Sequence, residues 1–366
     1  VVGQGAYGAV CKATWNGHSI AIKKIPNYAK SPETTRRVVR EVEILDCFQY
    51  CAQVVGSYTR FRPTSGEKDI YIVMDYVSSD LSTALKRGVA MNEDIVRYIT
   101  CQLLLALRAM HKQQCIHRDL SSRNILLSSN SEAYVCDFGL SRFFDPEEQL
   151  SFGVVTQWYR APEIVTDASY DTASDVWSVG VLMGEMFLQR HLFAGKPNDP
   201  ADQLNKIFAG LGTPNPALFR EDEQSYSNAS LNAKNYMETF INKHPMGNRF
   251  DNLQFKIPPA EEGRLLLKSL LSFDPKERPS ADEALANKYF DTLREFIDGE
   301  VQLQDEAESF KPFIAKDNKD LDELVAKLEE LVPVYSNDVI AQQLEEALSE
   351  QQVPADEEPA PADVEQ

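Results

Sequence analysis

No stretch of the 366-residue sequence approaches the roughly 18 uninterrupted apolar residues that a membrane-crossing helix needs. The richest run is the short Leu103-Leu104-Leu105-Ala106-Leu107, so a water-soluble protein without a membrane partner is expected. Cysteine is sparse: Cys11, Cys47, Cys51, Cys101, Cys115 and Cys136 form no CxxC pair and have no histidine cluster at zinc spacing, which points to the reducing cytoplasm or nucleus. Positive charge is outnumbered by negative. The formal net charge is −19, but residues 299–366 hold 19 acids against 4 bases, leaving only −4 on the preceding 298 residues. The acidity belongs to a tail, and bulk electrostatics argues against direct nucleic-acid binding. The opening Val1-Val2-Gly3 has no initiator Met, basic flank or apolar signal core, so a start clipped from a longer chain is expected. What the chain has is 43% hydrophobic and 10% aromatic residues, ample for a buried core and too varied for a disordered or fibrous protein.

Hydrophobic periodicity predicts two regions. Residues 9–13, 19–23 and 69–74 alternate or run as strands, with a helical pattern over 34–48 between them. From Leu81 the pattern turns helical, as over 92–111, where Ile95, Tyr98, Ile99, Leu103 and Ala106 recur at three and four residues. Pro-, Gly- and Asn-rich stretches at 196–200, 213–216 and 258–259 read as loops. Beyond 298, Leu321, Leu324, Val325, Leu328, Leu331 and Val332 stripe one helix, and Ser336 opens a second helical pattern through Leu348. Packing of these stripes back onto the core is expected, with residues 353–366 disordered.

Gly3-Gln4-Gly5-Ala6-Tyr7-Gly8-Ala9-Val10 fits G-x-G-x-x-G-x-V, in which absent side chains let backbone N–H groups approach phosphate oxygens. A dinucleotide-binding oxidoreductase expects a helix directly after such glycines and an acid about 20 residues on, but here a strand follows and brings Lys23, flanked by Ile20, Ala21 and Ile22. A half-buried ammonium needs an anionic partner, and the 34–48 helix offers Glu41 or Glu43. The strongest string is His117-Arg118-Asp119-Leu120-Ser121-Ser122-Arg123-Asn124, followed by Asp137-Phe138-Gly139 and Ala161-Pro162-Glu163. Phosphoryl transfer by a protein kinase needs an Asp to take the hydroxyl proton, an Asn five residues later and a DFG Asp for metal, and Asp119, Asn124 and Asp137 stand in that order and spacing.

On these motifs the chain resembles a eukaryotic protein kinase over residues 1 to about 313, and specifically a mitogen-activated protein kinase. The branch rests on Trp158-Tyr159-Arg160-Ala161-Pro162-Glu163, Asp175-Val176-Trp177-Ser178-Val179-Gly180 and Asn235-Tyr236-Met237. The resemblance implies an α+β, bilobal protein-kinase fold: a β-rich N-lobe over 1–76 with one helix, its start truncated, and a mainly helical C-lobe over 77–298 carrying an insert. An acidic helical extension (299–352) and a disordered tail (353–366) follow. It implies ATP and Mg2+ as cofactors. Val2, Val10, Ala21 and Leu126 would enclose adenine, the backbone of Asp75 and Val77 would read its edge, Met74 would be the gatekeeper and Asp80 a ribose contact. Gly3, Gly5 and Gly8 would cover the phosphates, Lys23 would orient them and pair with Glu41, and Glu163 would tie to Arg278. Asp119 would accept the proton, with Asn124 and Asp137 holding metal.

Two segments depart from the pattern. Ser121 stands where Ser/Thr kinases carry a lysine, and Arg123 is the candidate substitute cation. Ser151-Phe152-Gly153 replaces the Thr-x-Tyr pair, and Gln157 replaces an arginine, so single-site phosphorylation at Ser151, received by Arg40, Arg118 and Arg142, is expected. The resemblance further implies a monomer acting on protein substrates, proline-directed and under an upstream activating kinase. Phosphatases and other partners would use an acidic groove at Glu295, Asp298 and Glu300. The rival within the same fold is a scaffold or weakly active pseudokinase that binds nucleotide and partners.

Overall fold

The computed structural model describes residues 3–5, 8–15, 17–63, 68–143, 157–168, 171–219, 225–226, 229–243, 247, 249–307, 320–332 and 334. Val2, Ser151 with Phe152-Gly153, Thr156, the helical pattern over 336–348 and the stretch 353–366 lie outside the described residues. In chain order the elements are β1 (Gly3–Gly5), β2 (Gly8–Trp15), β3 (His18–Ile25), α1 (Pro32–Cys47), β4 (Ser57–Phe61), β5 (Ile70–Asp75), β6 (Ser79–Asp80), α2 (Leu81–Lys86) and α3 (Glu93–Lys112). Then come β7 (Cys115–Ile116), β8 (Ile125–Leu127), β9 (Ala133–Val135), β10 (Arg142–Phe143), α4 (Pro162–Val165), α5 (Ala173–Leu188), α6 (Pro200–Leu211) and α7 (Leu231–Lys243). The last are α8 (Glu261–Leu270), α9 (Ala281–Leu285), α10 (Arg294–Glu306) and α11 (Leu321–Leu331).

The chain divides into two compact units, the first drawing on Val1–Thr35, Ser57–Tyr76 and Lys319–Gln366, the second on Arg36–Gly56 and Val77–Asn318. In the first, five antiparallel strands pair in the order β1-β2-β3-β5-β4. The two-residue side-chain period of β3 sends Ile20 and Ile22 into a core with Phe61, Tyr71 and Val73, and leaves Lys23 half-buried on the other face. Gly8 has φ of +143°, and a Cβ there would lie 2.0 Å from the Lys24 carbonyl oxygen. Its missing side chain therefore serves the close pairing of β2 with β3, a demand separate from approach to phosphate.

α11 belongs to this same unit. Its stripe is buried at Leu324, Leu328 and Val332, and Glu329 Oε1 accepts from Tyr28 Oη at 2.7 Å and Lys68 Nζ at 2.8 Å. Arg62 donates to the carbonyls of Val332 (2.8 Å) and Glu329 (3.2 Å), satisfying helix-end acceptors that have no partner within the helix. Those two donors, Lys68 first and Tyr28 second, hold the Glu329 carboxyl below its ordinary range.

The second unit is built on α3 and α5. Asn92 caps α3 by accepting from Ile95 N at 2.9 Å, Glu93 and Asp94 fill its first turn and His111 and Lys112 its last, as the helix dipole favours. Every residue of α5 from Ser174 to Leu188 is buried, which marks a central core helix. The Glu163–Arg278 tie forms as a buried two-pronged pair at 2.6 and 2.8 Å. Arg108 of α3 binds Asp282 (2.7 Å), Gln304 (3.0 Å) and Asp305 (2.7 Å), fastening α10 to the unit. The composition shift near residue 298 thus falls inside a continuous helix and is not a structural boundary.

Candidate active site

In the second unit the catalytic string forms a rigid loop after β7. Asp175, at the start of α5 and buried, accepts from the backbone N–H of His117 (2.8 Å) and Arg118 (3.0 Å) and lies 3.1 Å from His111 Nε2. Burial works to raise its carboxyl, yet these donors, His111 foremost, hold it below the ordinary value. Arg118 takes positive φ (69°) and so does Asp137 (63°), a backbone state that costs free energy for non-glycine residues and persists only where neighbours enforce it. His117 is fully buried. Burial pushes its pKa down, so it is neutral: the Asp119 N–H donates to Nδ1 at 3.2 Å, which leaves Nε2 to donate to the Cys136 carbonyl at 3.2 Å. One imidazole thereby links the Asp119 turn to the residue preceding Asp137.

Asn124 closes the loop through its amide nitrogen, donating to the Asp119 carbonyl (2.8 Å) and to Asp119 Oδ2 (3.1 Å). Its amide oxygen is left available to a ligand. The Asp119 carboxyl is pushed up to about 7, by burial first and by the charge of Asp137 second, against the pull of Asn124, Arg160 and Arg37. Arg37 Nε donates to the Gly139 carbonyl at 3.2 Å, and a Cβ on Gly139 would stand 3.4 Å from Asp137 Oδ1. Asp119, Asn124 and Asp137 are thus gathered in one place.

Arg123 is exposed, and among the described residues it has no hydrogen bond or ion pair. The cations acting on Asp119 are Arg160 and Arg37, and Arg160 lines the same small hollow as Asp119. Arg160, which the sequence offers only within the Trp158–Glu163 string, is thus a second candidate for the cation beside Arg123. Ser121 is buried rather than turned outward. Gln157 is also buried, its amide donating to the Asp199 carbonyl at 3.2 Å, which gives the replaced arginine position a structural task.

The remaining expected residues are placed as follows. Val10 is half-buried on β2, Ala21 is buried on β3 opposite Met74 of β5, and Asp75 is exposed opposite Ile20. Gly3 and Gly5 lie on β1. In the second unit Glu41 and Glu43 are both buried on α1, and Val77 and Leu126 are half-buried. Asp80 caps α2, accepting from Thr83 N (2.8 Å) and Thr83 Oγ1 (2.7 Å). Pairing of β10 with β7 sets Arg142 opposite Ile116, two residues before Arg118, whose guanidinium donates to the Leu140 carbonyl at 3.2 Å; Arg40 lies one turn along α1 from Arg37. The acidic trio separates. Glu295 and Asp298 are exposed on α10, but Glu300 accepts from Gln53 Nε2 at 3.0 Å and belongs to an internal contact.

The sequence matches the protein kinase domain over residues 1–290. The chain is therefore a protein kinase family member, with the fold that family has. It is 36% identical over 301 residues to mitogen-activated protein kinase 13 of Oryza sativa subsp. indica, covering 79% of this chain and 57% of that protein. It is 35% identical over 315 residues to mitogen-activated protein kinase 12 of Rattus norvegicus, covering 84% and 81%. Mitogen-activated protein kinase 20 of Arabidopsis thaliana matches at 34% over 304 residues, covering 80% and 48%. The chain belongs to the mitogen-activated protein kinase family, and it spans about half the length of the plant relatives it matches. Among the described residues no helix is long and apolar enough to cross a membrane.

Proposed function

We propose that the protein transfers the terminal phosphoryl group of ATP to serine or threonine hydroxyls of protein substrates, proline-directed, in a mitogen-activated-protein-kinase type of cascade. The observation that carries this reading is the gathering of Asp119, Asn124 and Asp137, with the Asp119 carboxyl poised near 7. The donor set fits a hard cation: an amide oxygen from Asn124 and a carboxylate from Asp137, beside an excess of negative charge. Among the described residues no cluster of three or more His, Cys, Asp or Glu could hold a metal by itself.

When bound, ATP would supply the phosphoryl group and Mg2+ would offset its charge. Asp119 orients the substrate hydroxyl and accepts its proton as the new O–P bond forms and the bond to ADP breaks. Asn124 and Asp137 would hold the metal. Arg160, rather than Arg123, supplies fixed positive charge beside Asp119. In the first unit Lys23 orients phosphates, with Val2, Gly3, Gly5, Gly8, Val10, Ala21, Met74 and Asp75 as nucleotide contacts. Glu41, Val77, Asp80 and Leu126 hold the corresponding roles in the second unit. Phosphorylation of Ser151, with Arg40, Arg118 and Arg142 as receivers, activates the enzyme, and Glu295 and Asp298 remain as docking acids for an upstream kinase, substrates and phosphatases. Phosphate transfer from ATP to myelin basic protein, compared with Asp119→Asn, tests the proposal; equal rates for the two proteins support the scaffold reading instead. After incubation with an activating kinase, Ser151→Ala should stay at the basal rate, and full activation of that variant refutes the phosphosite.

A further inference from the structure

Three residues past Asp119, Ser122 is 2% exposed, and its Oγ lies 2.7 Å from Tyr159 Oη. Tyr159 Oη donates to Glu185 Oε2 at 2.9 Å. A phenol has a single proton, so Ser122 is the donor in the first contact. Glu185 sits within α5 with no exposed surface, and its other oxygen is 2.7 Å from His191 Nδ1. The His191 side chain is 35% exposed and its ring packs on Trp158 with centroids 4.5 Å apart. Four side chains thus run without a break from the catalytic loop to the surface.

The segment this line supports is the wall beside the reacting groups. Ser178 Oγ donates to the Tyr159 carbonyl at 2.8 Å and Trp158 Nε1 to the Gly195 carbonyl at 2.7 Å. Arg160 follows directly in sequence, and Tyr159, Arg160 and Asp119 line one hollow. A carboxylate with no access to water is costly unless hydrogen-bonded, and Glu185 takes donors from both sides. Removing His191 leaves one oxygen of that carboxylate without its donor, and the cost is transmitted to Tyr159 and Ser122. Resting on the kinase reading above, we infer that His191 and Ser122 are positioning residues for phosphoryl transfer, which act through Glu185 and Tyr159 to hold the Arg160 wall in register with Asp119. Neither touches the reacting atoms.

The test measures phosphate transfer from ATP to myelin basic protein by wild type, His191→Ala, His191→Asn, Ser122→Ala and the Ser122→Ala/His191→Ala double variant, with Asp119→Asn as the inactive control. His191→Ala should lower kcat about tenfold, equivalent to about 1.4 kcal/mol of transition-state alignment. KM for ATP should stay near wild type, while the melting temperature should fall by a few degrees as the buried carboxylate loses a donor. Asparagine places an N–H where Nδ1 stood, and should restore kcat to within about threefold of wild type. Groups acting in one line are not additive, so the double variant should be no slower than the slower single variant. Unchanged kcat in His191→Ala, failure of asparagine to rescue, or losses that multiply in the double variant would each overturn the inference while leaving the kinase reading intact. A wild-type rate equal to that of Asp119→Asn overturns both.

Discussion

Asp119→Asn should make the protein more stable while abolishing transfer, and the gain should grow with pH. The Asp119 carboxyl rises from an ordinary 3.8 to about 7 in the folded protein, with burial the largest cause and Asp137 the next. Between those two values the folded state binds more protons than the unfolded one, so stability falls as pH rises. Asparagine has nearly the same shape and carries no charge at any pH, so it imitates the protonated acid. At about 1.36 kcal/mol per pH decade, the gap between variant and wild type is about 1.7 kcal/mol at pH 5 and about 4 kcal/mol at pH 8. Those are upper bounds, because a carboxylate that keeps part of its exposure also keeps part of its hydration. Paired thermal or urea unfolding of the nucleotide-free proteins across pH 5 to 8 reads the difference directly. A gap that is flat or narrows toward pH 8 refutes the claim that Asp119 is strained in its charged form. Added Mg2+ should narrow the gap at pH 8, since it offsets the charge of Asp137.

Glu163→Gln strips the charge partner from Arg278, whose side chain has no exposed surface, and should cost about 3–5 kcal/mol in denaturant unfolding; a loss under about 1 kcal/mol contradicts the role of the pair. Leu328→Ala, at a fully buried position of α11, should cost about 2–5 kcal/mol. Leu303→Ala, on the exposed side of α10, should stay within about 0.5 kcal/mol of wild type, and equal effects at the two sites would contradict the packing described. In an ATP hydrolysis assay that needs no protein substrate, Arg160→Ala should lower turnover at least about tenfold and Arg123→Ala less than about twofold. The reverse order restores Arg123 as the working cation.

What was legible in the sequence was whatever is encoded over short separations. The Asp119–Asn124 hydrogen bonds join residues five apart, and the helices over 92–111 and 321–332 announce themselves by apolar period. Contacts closed by the tertiary fold were hidden. Arg160 reaches the neighbourhood of Asp119 from 41 positions away, and Glu185 meets Tyr159 across 26, with no local pattern to mark either. Arg123 looked suitable because it is near in sequence, but the turn that buries Ser121 and Ser122 leaves it outside. Glu300 resembled a surface acid for a similar reason: helix spacing turns it away from Asp298, and Gln53, which it meets, lies 247 residues earlier. The glycine string suggests ligand chemistry, whereas Gly8 is also demanded by a neighbouring strand.

The strands of the first unit are translated before the helix tied to that unit through Tyr28, Arg62 and Lys68, Leu321–Leu331, which leaves the ribosome roughly 250 residues later, about 10–50 s of elongation at ordinary speeds. During that interval Tyr28, Arg62 and Lys68 lack the partners that α11 brings, and the unit is open to chaperones and to other nascent chains. A premature stop anywhere before residue 320 would therefore damage the first unit made, even though every codon for its strands had been read.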